Sequence, residues 1–151
     1  MNKFTEAELV GREIWNEKLL RNGSSAITFT TNTYDSVDVM WEKYDTTYVG
    51  EIKYREKYSS SAKCIAEQGV MLEKTKYDAL KYYQSASGFC PYYIHIFNDG
   101  KIYLYDLNDL EPEWVEEENK FPRTTKGDKT KVKKVVTYLP LSGGTQCCYS
   151  K

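Results

Sequence analysis

The sequence predicts a single α/β domain built around a mixed β-sheet. Three observations carry that expectation: a capped amphipathic helix opens the chain, three extended runs follow it, and a second helix separates these from further strands. With 151 residues, 40% of them apolar and 28% charged, the chain is long enough for one core and too short for two ordinary ones. Residues 1–151 are therefore read as one domain.

Thr5-Glu6-Ala7-Glu8 has the spacing of a capping box, with Thr5 as N-cap and Glu8 three residues on. The helix it opens runs to about Arg21, with Ala7, Val10, Gly11, Ile14 and Trp15 on one face, and stops before Asn22-Gly23. Ala26 to Thr31 is rich in β-branched residues and reads as a strand. Two extended runs, Ser36 to Tyr44 and Thr46 to Glu56, meet around Tyr44-Asp45 and predict a hairpin. Tyr58 to Lys63 reads as a loop, and Gly69 to Glu73 as a short strand. Thr75 to Asp78 has near-capping-box spacing and opens a helix through Gln84 that ends before Gly88. Pro91 to Phe97, the turn Asn98-Asp99-Gly100 and Lys101 to Leu107 form a second hairpin. Residues 108–130 read as a charged loop region, and a last strand begins near Lys134.

Several function classes are excluded at once. No apolar run approaches the roughly 20 residues that span a bilayer, so no membrane partner is expected. Met1 to Val10 lacks the apolar stretch of a secretory signal, which predicts a cytoplasmic protein. Cys64, Cys90, Cys147 and Cys148 are then reduced thiols; no CxxC pair exists and His95 is the one histidine, so a zinc site and a Ser/His/Asp mechanism both fail. Net charge is −1, but its distribution is uneven. Asp106 to Glu118 is acidic, whereas Lys120 to Lys134 carries seven Lys or Arg against one Asp. That basic stretch, with Lys131 and Lys133, is a candidate surface for phosphates.

The run Tyr48 to Glu56 places charge oddly for a strand. Val49, Glu51 and Lys53 share one face, Gly50 and Ile52 the other. A hairpin turning at Tyr44-Asp45 sets Trp41 against Tyr48 and Asp38 against Glu51, with Cβ atoms about 4.5–5.5 Å apart. Two carboxylates that close repel unless a cation lies between them. Mg²⁺ suits the task, because it takes carboxylate oxygens plus water and leaves positions for a phosphate. Lys53 would lie beside it, placed to orient or help deprotonate an attacking water or to neutralise charge on the phosphate. The Ile52 carbonyl is a further candidate ligand.

Asp38 followed by Glu51-Ile52-Lys53 resembles the PD-(D/E)XK nuclease superfamily. The order of elements from about Thr5 to Leu107 is similar to that superfamily's core of helix, three-strand meander, helix and strand. The resemblance implies a restriction-endonuclease-like fold, a central mixed sheet flanked by helices in α-β-β-β-α-β order, with extra C-terminal strands. It implies a Mg²⁺-dependent endonuclease, with Mn²⁺ able to substitute, acting on duplex or branched DNA as in restriction or bacteriophage systems. It leaves a homodimer open. It implies a supporting glutamate on the first helix, Glu13 or Glu17 with Glu13 first, and a phosphate contact on the helix after the motif: Lys76, with Lys74 and Gln68 as further candidates. Val37 stands where members often have proline, and Asp35, a rival for the first acid, falls on the opposite face from Asp38. The competing expectation is a catalytically inactive nucleic-acid-binding or protein-interaction domain with the same fold.

Overall fold

The computed structural model describes residues 4–31, 37–122 and 131–149; the side chains of 118–122, 131 and 132 lie outside that description. Thr5 caps the first helix as its spacing predicts. Its hydroxyl accepts from the Glu8 N–H at 3.1 Å, and Glu8 Oε1 accepts from the Thr5 N–H at 2.7 Å. This helix, α1 (Glu6–Arg21), buries Gly11, Trp15 and Leu19, one residue per turn.

Strand β1 (Ser25–Phe29) pairs with β2 (Val39–Lys43), and β2 with β3 (Thr46–Arg55), all antiparallel. Tyr44 and Asp45 join β2 to β3 with φ of 49° and 63°. A two-residue loop with both φ angles positive twists in the sense that antiparallel strands need. It fixes the register: Trp41 opposes Tyr48 and Val39 opposes Gly50. The rings of Trp41 and Tyr48 stack at 5.2 Å.

After β3 the chain forms α2 (Lys63–Gln68), β4 (Val70–Glu73) and α3 (Lys74–Ser87), then returns as β5 (Cys90–Phe97) parallel to β3. Strands β6 (Lys101–Asp106), β7 (Val115–Pro122), β8 (Lys131–Leu139) and β9 (Thr145–Cys148) complete it. The main sheet has the order β1-β2-β3-β5-β6-β9, mixed through its β3–β5 pair, and a smaller antiparallel sheet has the order β4-β8-β7. Each face of the main sheet buries its own core. Trp15 and Leu19 of α1 meet Trp41, Ile52 and Ile94 on one side; Leu80 of α3 meets Val49, Tyr93 and Tyr105 on the other. No described helix is long and apolar enough to cross a membrane.

Three elements differ from the sequence expectation. Part of 108–130, expected as charged loop, is strand β7, while 123–130 lie outside the described residues. The physical reason is that the acidic and basic runs complement each other: Glu117 opposes Lys134, and Lys133 Nζ lies 3.3 Å from Glu116 Oε1. Helix α2 has six residues, no side-chain cap and no buried residue, so little in its sequence announces it. Strand β9 pairs with the edge of β6, where backbone partners matter more than side-chain pattern.

Gly11 sets how closely α1 approaches the sheet. A Cβ there would lie 2.9 Å from Tyr54 Cβ and 3.4 Å from Ile52 Cγ2. Tyr54 Cβ hangs directly on the β3 backbone and cannot swing aside. Overpacking of this kind costs about 1–3 kcal/mol, against a helix-propensity gain of at most ~1 kcal/mol for Gly→Ala. Gly11→Ala is expected to lower the urea midpoint; an unchanged midpoint would show that this contact does not set the helix position.

Candidate active site

The hairpin register brings Asp38, just ahead of β2, alongside Glu51 in the middle of β3. Asp38 Oδ2 accepts from the Ile52 N–H at 2.7 Å, and the Asp38 N–H donates to the Gly50 carbonyl at 2.9 Å. Strand residues project N–H and C=O to the same edge. The Ile52 carbonyl therefore lies on the edge that Asp38 occupies. Ile52's side chain points the other way, into the α1-side core.

Glu51 is only 3% exposed, sealed between β3 and α3. Its Oε1 lies 3.8 Å from both Lys53 Nζ and Lys76 Nζ, the latter from the first turn of α3. Its Oε2 is buried and has no hydrogen-bond partner. Each lysine attracts the carboxylate by roughly 4 kcal/mol at this distance and an effective dielectric of ~20. Burial nonetheless wins. Loss of solvent, reinforced by the neighbouring Asp38 charge, pushes the Glu51 carboxyl up to about 8 despite the two lysines.

Arg12 is a member of this cluster that sequence reasoning missed. Its Nη2 lies 3.4 Å from Asp38 Oδ1, and its Nη1 donates to the Thr30 carbonyl at 2.6 Å. The guanidinium rests on the Phe4 ring at 3.8 Å, which holds its plane. The one available signal was position: a residue next to the glycine of closest approach is carried to the sheet. Glu13 and Glu17 are exposed on α1, and among the described residues no hydrogen bond or ion pair joins either to Asp38 or Glu51. The helix presents an arginine where a glutamate was expected, because Gly11, Trp15 and Leu19 face the sheet and Glu13 turns away.

Two of the other expected lysines, Lys74 and Lys133, are engaged elsewhere. Lys74 Nζ pairs with Asp78 Oδ2 at 2.7 Å and lies 5.8 Å from the Trp114 ring. Lys133 pairs with Glu116, the side chain of Lys131 lies outside the described residues, and Gln68 is exposed at the end of α2. Lys134 reaches Glu73 at 2.7 Å, at the N-terminal end of α3. His95 sits in β5 opposite Lys53, fully buried, and its Nε2 accepts from Arg55 Nε at 3.3 Å. Burial holds its pKa well below the usual imidazole range, so it is neutral.

The raised Glu51 carboxyl has a consequence for stability without divalent cations. Between the ordinary value of 4.5 and about 8, the folded protein holds a proton on Glu51 that the unfolded chain releases. This stabilisation is complete below pH 4.5 and is lost as pH rises through 8. In EDTA, thermal melts are expected to show the wild type weakening from pH 5.5 to 8.5, with Glu51→Gln flattening that part of the profile. Identical pH dependence in both proteins would show that Glu51 is not the group responsible.

No protein-family model matches the chain, and a search of curated proteins finds no match. Among solved structures, the chain is similar to Hjc of Archaeoglobus fulgidus, described as a Holliday junction resolvase from an archaeal hyperthermophile. The TM-score is 0.57 at 13% identity, over 90% of this chain and 93% of the resolvase chain. At that identity the likeness speaks for architecture. The chain shares the restriction-endonuclease-like fold, a central mixed sheet flanked by helices, with this resolvase.

Proposed function

We propose that the protein is a divalent-metal-dependent DNA endonuclease centred on Asp38, Glu51 and Lys53. The observation that carries this reading is the buried Glu51 carboxyl beside Asp38, with no donor at Oε2 and two lysines at Oε1. Proteins rarely leave a buried carboxylate oxygen unsatisfied without a use for it. Its occurrence on the fold of a Holliday junction resolvase supports a nuclease.

The residues fit Mg²⁺ or Mn²⁺. Asp38, Glu51 and the Ile52 carbonyl offer hard oxygen donors, and no group of three or more His, Cys, Asp or Glu gathers among the described residues. Mg²⁺ commonly binds through one or two carboxylates, with water and substrate phosphate completing the shell. When bound, it would supply a water of lowered pKa and positive charge at the scissile phosphate. The protein's own groups do the rest. Asp38 and Glu51 would fix the position of that charge, and the Ile52 N–H holds Asp38 in its rotamer. Lys53 brings an ammonium to the same spot, where it offsets charge building on the phosphate. Lys76 does so from the first turn of α3. Lys53 and Lys76 stand at Glu51 itself, whereas Lys74 and Lys133 pair with Asp78 and Glu116, so we assign the main phosphate contacts to Lys53 and Lys76. Glu13 has no part in this assignment. Branched DNA is the first substrate to try, and symmetric cutting of two strands by a one-site chain calls for a homodimer.

One observation favours an inactive nucleic-acid-binding domain instead. Both Asp38 oxygens already have partners, Arg12 and the Ile52 N–H. Cleavage assays on plasmid and four-way-junction DNA with Mg²⁺, Mn²⁺ or EDTA separate the readings. The nuclease reading expects metal-dependent cleavage that Asp38→Ala and Glu51→Ala abolish. Lys53→Ala should lower the rate by about 10²–10³-fold while metal binding by calorimetry persists. DNA binding without cleavage in every metal would leave the inactive domain as the answer.

A further inference from the structure

Helix α3 covers only part of the sheet face on which it packs. Leu80 is sealed against Val49 and Tyr93, but the β1–β2 end of that face stays open. The result is a groove of about 410 Å³, with Thr28, Thr30 and Met40 on the sheet side and Tyr82 and Tyr83 on the helix side. Asp38 lines the same groove, so it runs into the candidate active site.

Its chemistry is selective. The lining offers aromatic rings, hydroxyls, a thioether and aliphatic side chains, and its one charged side chain, Asp38, is already paired with Arg12. No cation belongs to the lining to hold a phosphate there, whereas a flat ring with polar edges finds both a stacking surface and hydrogen-bonding groups. Tyr82 is 66% exposed and sits edge-on to Tyr83, which is itself stacked on Phe89. One ring is thus braced and the other is presented.

Spacing connects the groove to the cationic end of the site. Lys76 and Tyr82 are six residues apart on α3, roughly 9 Å along the axis. That is about the length of three stacked nucleotides at ~3.4 Å each. A strand whose phosphate rests by Lys53 and Lys76 has a base within reach of Tyr82 two or three nucleotides away.

We infer that this groove takes an unpaired base of the DNA strand flanking the scissile phosphate, stacked on Tyr82. The inference rests on the nuclease reading and names its substrate class: DNA with unpaired nucleotides beside the cut, as at a flap or an opened branch. A fully paired duplex keeps its bases stacked on one another and offers the groove nothing.

Fluorescence anisotropy with full-length protein in Ca²⁺ tests this, comparing a blunt duplex with the same duplex carrying a three-nucleotide flap. The wild type should prefer the flap. Tyr82→Ala should reduce that preference about tenfold, the scale of one base–aromatic stack, and Tyr82→Phe, which keeps the ring, should retain it. Loss of affinity for both DNAs alike, or no change, overturns the inference. A shift of Tyr82→Ala to a smaller species in sedimentation also overturns it, since a second copy would then be the occupant. These outcomes are distinguishable from failure of the nuclease reading, which shows as wild-type protein that neither binds nor cuts any DNA.

Discussion

A carboxylate kept out of water is the constraint around which this molecule is arranged. Glu51 lies mid-strand, under a helix, beside a second acid, and its two lysine neighbours do not restore an ordinary carboxyl pKa. A core built for stability alone would place an apolar residue there, as it does at Val49 two positions earlier on the same face. Everything that surrounds Glu51 limits its escape. The tight turn at Tyr44-Asp45 locks β2 to β3, the parallel pairing with β5 sets Tyr93 beside it, and α3 closes the roof. A slip of one residue in the hairpin would throw the carboxylate to the α1 side and exchange it for Ile52.

The charges around it are divided by depth. Near the surface, acid and base neutralise one another in pairs: Glu116 with Lys133, Glu73 with Lys134, Asp78 with Lys74. Such pairs are individually worth little, but they engage Lys133 and Lys134, the two residues of the basic stretch whose side chains are described. At the cluster itself the balance is tighter. Arg12, Lys53 and Lys76 converge on Asp38 and Glu51, so a polyanion approaching this point meets cations on three different elements.

Much of this was legible from residue order. The capping box, the two hairpins, the helix ending at Gly88 and the opposition of Trp41 and Tyr48 follow from local patterns that tertiary packing did not override. The meeting of Asp38 with Glu51 and Lys53 follows from turn position alone, since a short antiparallel loop leaves one register. Lys76 was legible through its place at the start of a helix. Arg12 was not, because its role depends on how near Gly11 lets the helix come, a distance set by Tyr54 on another element. Nor was β7, whose partner strand begins beyond an intervening stretch and whose register mixes apolar pairs such as Val115 with Val136 and a charged pair, Glu117 with Lys134.

The smaller sheet carries a consequence for the order in which the chain can be finished. Strand β4 leads directly into α3, yet its pairing partner is β8, with Val70 set against Leu139. Gly69 makes that approach possible: at φ 81°, a Cβ would stand 2.2 Å from the Leu139 carbonyl oxygen. During synthesis, proteins begin to fold from the N-terminus, so Glu51 and Asp38 can meet while β4 is still without a neighbour. The clamp that anchors the base of α3, and with it the Lys76 end of the cluster, closes only after Leu139 has been added. A nascent chain therefore carries the acids before it carries the finished cationic cradle, and full assembly of the site waits on a strand that contributes no residue to the Asp38–Glu51 pair.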